Sequence, residues 1–309
     1  MLPLRSNRSL HICLNTNTNG ITWISSHKAI GSVITSESVK NALKWLYGNN
    51  MNKIYAVIAT LLVSTLALAN PIDDACPQFA LRGAPVSQLQ PGTTQYLCKQ
   101  NYAIHYRYDT KTAEYVLEHI TRESITGPAK RKDDFRPDPS IPKQHQSTLA
   151  DYAGFPYDRG HLSPGADNTQ NDAIMSESFF LSNMVPQVPN HNRGIWKQLE
   201  TAVRNWVLEG KDIYVVTGTV YSQGYQTIGQ GRVGIPTHMW KVIVDRKSAK
   251  AIAFMFPNAP LPVKDLPKYA VNVATIEKYT GINFHPQLPA QLQHIETDPV
   301  DLTLWSSLQ

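Results

Sequence analysis

The apolar run from Ile54 to Ala69 decides how much of this chain has to fold together. Lys53 precedes it and Ala67-Leu68-Ala69 closes it, the pattern of a secretory signal peptide with a small-residue cleavage site. A spanning helix needs about 20 apolar residues. This run is shorter, so a membrane anchor is the weaker reading, and no cysteine stands at the cut to carry a lipid. The sequence predicts a signal peptide over 51–69, a secreted or periplasmic product, and no membrane association after cleavage. Residues 1–50 are polar, show no clear helical or strand period, and end in Asn49-Asn50 before Met51. They read as an upstream extension of the reading frame, with Met51 as the native start. What has to fold is 70–309, expected as a single domain with its core over about 96–290.

That division changes the charge argument. The whole chain has 29 Lys and Arg against 24 Asp and Glu, a net +5, which would suggest a nucleic-acid partner. Arg5, Arg8, Lys28, Lys40, Lys44, Lys53 and Glu37 all precede the cut, leaving 23 of each sign. Phosphate binding by the mature region must therefore come from a local cluster, not from the overall field. Cys13 leaves with the N-terminal segment. Cys76 and Cys98 remain and lack C-x-x-C spacing, so in an exported chain they are expected to pair.

Residues 70–95, rich in Pro, Gly and Gln, read as a leader held down by that disulfide. Tyr102–Tyr108 and Ala113–Ile120 flank a turn at Asp109 and predict a hairpin; His238–Val244 and Ala251–Phe256 predict another. Asp212–Gly218 reads as a buried strand. Between them, Ile195, Leu199, Val203, Trp206 and Val207 recur at helical spacing, predicting a helix from Arg193 to Glu209 that Gly210 ends. Val271–Tyr279 predicts a short helix, and 126–150 a long polar loop. Strand runs mixed with isolated helices, without regular alternation, indicate an α+β fold on a mainly antiparallel central sheet flanked by helices.

The polar residues stop looking like solvated surface between 157 and 204. Asp158-Arg159-Gly160-His161 is followed by Ser182-Asn183 and Pro186-Gln187, then by Asn192, Trp196, Leu199, Glu200 and Arg204. Asn192, Trp196, Glu200 and Arg204 are four apart, so on a continuous helix they would form one slanted stripe. An amphipathic helix with a Glu200–Arg204 pair explains part of this, and Asn192 could serve only as an N-cap. Neither accounts for a separate His-bearing motif beside it. The other histidines, His105, His119, His145, His238, His285 and His294, lack the H-x-x-x-H spacing of a zinc hydrolase.

Together these motifs resemble the DNA/RNA non-specific endonuclease family, the ββα-metal nucleases with an Asp-Arg-Gly-His signature, over about residues 100–290. Thr217-Gly218 and the stretch from Ile276 to Phe284 also fit the family's pattern. The resemblance implies a secreted enzyme that hydrolyses DNA and RNA to 5′-phosphate products on a ββα-metal site. His161 would be the general base and Asn192 the residue holding one Mg²⁺, with Mn²⁺ as a substitute. Glu200 would accept hydrogen bonds from the water around the ion, and Arg159 would reach the phosphate. Arg131 is the best match to the family's phosphate-binding arginine in the 126–150 loop, with Arg136 as the alternative. Asn183 and Arg204 would support the site, Asp158 would hold Arg159 or the turn, and His191 would face solvent. Two other readings stay open: an inactive nucleic-acid-binding module, and an exported antibacterial nuclease with a proteinaceous inhibitor. The oligomeric state is not legible from the sequence.

Overall fold

The computed structural model describes residues 70–306 and Leu308, with the backbone of two short strands nearer the N-terminus. The chain divides into two compact units, Met1–Leu68 and Ala69–Gln309. In the first, β1 (Cys13–Asn17) and β2 (Gly20–Ile24) pair antiparallel, a hairpin that the polar sequence there does not announce. The expected signal peptide lies outside the described residues. No helix among the described residues is long and apolar enough to cross a membrane.

In the second unit, strands supply β3 (Thr94–Cys98), β4 (Ala103–Arg107), β5 (Thr112–Ile120), β6 (Asp158–His161), β7 (Met184–Gln187) and β8 (Ile213–Val220). The short β9 (Thr227–Ile228) and β10 (Val233–Gly234) follow, then β11 (His238–Asp245), β12 (Lys250–Pro257) and β13 (Ala270–Val271). Seven of them build one antiparallel sheet in the order β13-β12-β11-β8-β5-β4-β3. Both expected hairpins are present, as β4–β5 and β11–β12. The fold is α+β on an antiparallel sheet.

Alternation along the central strands shows why the sheet is covered twice. Met239 and Ile243 point to one face of β11, and Trp240, Val242 and Val244 to the other; all five are buried. The first face packs against α1 (Lys197–Leu208) through Leu199, Ala202, Val203, Trp206 and Val207, the residues whose spacing predicts the helix. The second is covered by α2 (Val273–Thr280) and by the leader, whose Ile72 and Phe79 are buried. Cys76 and Cys98 are bonded, with Cα atoms 6.0 Å apart, and fasten that leader to β3. In the chain-entropy model a loop of this length stabilises by about 3 kcal/mol. Buried residues also lie past 290, since Trp305 and Leu308 pack near Trp206 and the Trp206 indole donates to the Ser306 carbonyl at 2.6 Å.

The predicted helix from 193 is not continuous. His191–Trp196 is a widened, π-type turn broken at Gly194 (φ −106°, ψ −107°), and regular α-helix begins only at Lys197. A residue without Cβ tolerates that conformation, and such widened turns recur at functional sites. Hydrophobic spacing cannot report the break, because Ile195 and Trp196 are buried on either reading.

Candidate active site

The strands β6 and β7 pair antiparallel, with Asp158 opposite Gln187 and His161 opposite Met184. With the turn into α1 they form a ββα unit. Gly160 is dictated by packing, since a Cβ there would lie 2.6 Å from Gln187 Cβ on the paired strand. Asn183 is fully buried and ties the far end of β6 down. Its Oδ1 accepts from the Ser163 backbone N–H at 2.9 Å, and its Nδ2 donates to the carbonyls of Ser163 and Ser178 at 2.8 and 2.9 Å. Asn183 therefore shapes the turn after His161 without facing the cleft.

A cleft of about 560 Å³ opens where β6, α1 and the 126–150 loop meet. His161, Arg159, Arg131, Asn192, Glu200 and Arg204 all line it. His161 and Asn192 are thus brought together across 31 positions of sequence. His161 is 8% exposed, packs edge-on to Phe179 at 5.0 Å and against Phe135 at 5.8 Å, and its Nε2 has no protein partner. Burial, reinforced by the Arg131 and Arg159 cations, pushes its pKa down to about 3. The imidazole is therefore neutral at physiological pH, the form that can accept a proton.

The arginines separate by geometry. Arg159 lies over the Phe135 ring at 4.3 Å, and Arg131 over Phe179 at 5.0 Å while pairing with the exposed Asp133 at 2.7 Å. Arg136 is outside the cleft: it stacks on Phe180, pairs with Asp134 and donates to the Ser176 carbonyl. Of the two loop arginines only Arg131 lines the cleft. Arg204 faces it but is tied to Asp167, Nη1 to Oδ1 at 2.9 Å.

Asp158 does not hold Arg159. Its carboxylate takes Arg193 at 2.5 and 2.8 Å, and its Oδ2 accepts from Asn192 Nδ2 at 2.9 Å. A carboxylate only accepts, so the NH₂ end of Asn192 must face Asp158 and Oδ1 is the end left free. Among the described residues no three His, Cys, Asp or Glu gather as a metal cluster. An amide oxygen and a carboxylate lining one cleft instead suit a hard divalent cation that keeps most of its water. That carboxylate is Glu200, whose pKa burial raises to about 7, Lys241 and Arg204 opposing the rise.

His191 corrects the sequence reading. It is fully buried, packed on Trp196 and Phe256, with Nδ1 at 3.2 Å from Gln187 Nε2. It stands at the start of the widened turn and faces inward. The expected stripe is broken by the same turn: Trp196 is buried under Phe256, while Asn192, Glu200 and Arg204 face the cleft. Sequence reasoning also missed the aromatic walls Phe135 and Phe179, the Arg193–Asp158 pair, and the buried Glu118 and Lys241. The last two carried a signal: each is a charge flanked by apolar residues in a strand, at an inward position where it requires partners.

The model of the DNA/RNA non-specific endonuclease family matches residues 84–291. The mitochondrial nuclease EXOG of Xenopus laevis is 38% identical over 205 residues, 61% of this chain and 57% of that protein. Human mitochondrial endonuclease G is 33% identical over 216 residues, 65% of this chain and 73% of the relative. The chain thus spans little more than half the length of EXOG. A crystal structure of the EndoG/EndoGI complex, which concerns EndoG inhibition, contains a similar chain at 27% identity and a TM-score of 0.61, covering 73% of this chain and 96% of that one.

Proposed function

The chain belongs to the DNA/RNA non-specific endonuclease family, and on that premise we propose that its cleft hydrolyses phosphodiester bonds of DNA and RNA with little sequence preference. The observation that carries this reading is His161: a neutral, unpartnered imidazole lining the same cleft as Asn192, Arg131 and Arg159.

Hydrolysis needs an activated water, stabilised charge on the phosphate and an exit for the 3′ oxygen. His161 takes a proton from water as the water oxygen bonds to phosphorus and the P–O3′ bond breaks. The 3′ oxygen leaves with the bonding pair and takes a proton from solvent water to become a hydroxyl, and the phosphate stays on the 5′ side. The two cations that depress His161 also supply its substrate dependence. A bound phosphate offsets the charge of Arg131 and Arg159, so the imidazole becomes more basic when there is a bond to cut. Asn192 would hold Mg²⁺, or Mn²⁺ in its place, through Oδ1, with Asp158 fixing the amide. When bound, the ion supplies positive charge to the phosphate and to the departing oxygen. Glu200 in its ionised form accepts hydrogen bonds from the surrounding water; burial favours its protonated form, and Lys241 and Arg204 oppose that rise.

Export follows from the run at 51–69 and is supported by the bonded Cys76–Cys98, which suits an oxidising compartment. A protein inhibitor is a fitting partner, given the likeness to a chain in the EndoG/EndoGI complex. Supercoiled plasmid and single-stranded RNA, each incubated with the protein in EDTA and then with Mg²⁺ restored, test the reading. Both should be cut only after Mg²⁺ returns, leaving 5′-phosphate ends. Binding without cutting under any divalent ion would make the chain an inactive nucleic-acid-binding module.

A further inference from the structure

Three charged or polar side chains point from the central strands toward α1, where apolar residues would be expected: Glu118 on β5, Thr217 on β8 and Lys241 on β11. All are buried, and Glu118 is 1% exposed. Burying a carboxyl is costly unless it is hydrogen-bonded, so its few partners define what it holds. Lys241 is held by the Thr217 hydroxyl at 2.5 Å and lies over the Trp196 ring at 5.0 Å. Glu118 makes one hydrogen bond, accepting from the Ser163 hydroxyl at 2.6 Å through Oε1, while Oε2 has no partner.

Ser163 occupies a special place. It stands two residues after His161, and its backbone N–H and carbonyl are both clamped by the Asn183 amide. Its hydroxyl oxygen accepts from Asn168 Nδ2 at 2.9 Å while its own proton goes to Glu118 Oε1. Asn168 in turn donates to the Pro164 carbonyl, closing the turn that carries Asp167. Asp167 then holds Arg204 in the cleft. One carboxyl rooted in the rigid sheet is thus connected, through one hydroxyl, to the general base on one side and to a cleft arginine on the other.

We infer that Glu118 is a positioning residue for the cleft, acting through Ser163 to fix the turn that presents both His161 and the Asp167–Arg204 pair. The inference rests on the reading of the cleft as a hydrolytic site. Glu118 touches no substrate; its effect is on the placement of groups that do, and a misplacement of about 1 Å can lower turnover by about 100-fold. Because only an acceptor oxygen is required, an amide should serve where an apolar side chain does not.

The test compares Glu118→Gln, Glu118→Leu, Ser163→Ala and the Leu/Ala double variant in plasmid cleavage. Each is also examined by the ring resonances of His161 in NMR spectra. Glu118→Gln should stay within about threefold of wild-type kcat. Glu118→Leu and Ser163→Ala should each lower kcat about tenfold or more with KM little changed, and the double variant should fall no further than the worse single. The His161 ring signals should move in the Leu and Ala variants and stay in place in the Gln variant. Should Glu118→Leu fail to fold, Ser163→Ala against Glu118→Gln carries the same contrast. Wild-type turnover in Ser163→Ala, losses that multiply in the double variant, or His161 signals unmoved by Ser163→Ala would each overturn the inference. If the wild-type protein cuts nothing, the hydrolytic reading fails by itself, and the His161 signals still decide whether Glu118 governs the turn.

Discussion

Two buried histidines on this scaffold show how similar burial leads to different uses. His105, on β4, is 2% exposed; it stacks on Tyr96 at 4.2 Å and pairs with Glu114 through Nδ1 at 2.7 Å. A β-bulge between His105 and Tyr106 shifts the pairing with β5 by one residue and turns Glu114 toward that ring. The Glu114 carboxylate also accepts from Ser87 at 3.1 Å, so its charge is doubly satisfied. His161 is nearly as buried, yet it has aromatic walls and two cations where His105 has a carboxylate. A histidine with its partner in place fastens a sheet to its covering leader. One denied a partner at the edge of a cleft keeps a lone pair for chemistry. Burial alone, or the presence of a histidine, would not have told them apart.

The contrast can be broken first at the histidines. His161→Ala should lower kcat by about 1,000-fold, the usual scale for loss of a general base, with DNA affinity by gel shift nearly unchanged. A comparable kcat loss on replacing His105, in protein that remains folded, would erase the distinction. Asn192→Ala should cost about 10- to 100-fold in activity, partly recovered at high Mg²⁺, whereas excess ion should not rescue His161→Ala.

Smaller effects separate the arginines. Arg131→Ala should raise KM several-fold and reduce the salt slope of binding by about 1, as expected for one lost phosphate contact. Arg136→Ala should leave that slope intact and lower only the thermal midpoint, because its guanidinium binds Asp134 and the Ser176 carbonyl. On the His105 side, Glu114→Gln should destabilise by about 1–3 kcal/mol with kcat unchanged, readable by thermal melting beside plasmid cleavage.

The pH dependence has a definite sign. The folded pKa of His161 lies near 3 against an ordinary 6.5. Between those values the unfolded chain binds a proton that the native protein refuses, so this residue removes stability as pH falls from about 6.5. His161→Gln should therefore lose less of its melting temperature between pH 7 and 4.5 than the wild type does. Glu200 acts in the opposite sense. Its folded pKa near 7 exceeds the ordinary 4.5, so stability is lost as pH rises through that window, and Glu200→Gln should relieve the loss.

Much of the sheet was legible because its signals are local. Alternating apolar runs around Asp109 and Asp245 mark the two hairpins, and the Leu199–Val207 spacing marks α1. The site was legible as motifs, since Asp158–His161 and Asn192–Arg204 are short segments with fixed spacing. What could not be read depends on residues distant in sequence. His191 faces inward at the start of a turn whose backbone break at Gly194 leaves the hydrophobic spacing unaltered. Asp158 was expected to hold Arg159 or the turn, but the partners that claim it, Asn192 and Arg193, lie 34 and 35 positions away. Glu118 and Ser163 are 45 apart, and only the sheet brings them into contact.

An ion held by Asn192 would sit in the cleft that His161 lines and His105 does not. Manganese, which is paramagnetic, broadens nearby proton resonances with a steep dependence on distance. Mn²⁺ titrated into the protein should broaden the His161 ring signals selectively, leave those of His105 sharp, and lose this selectivity in Asn192→Ala. Equal broadening of both histidines, or a His161 response that persists without Asn192, would contradict the account.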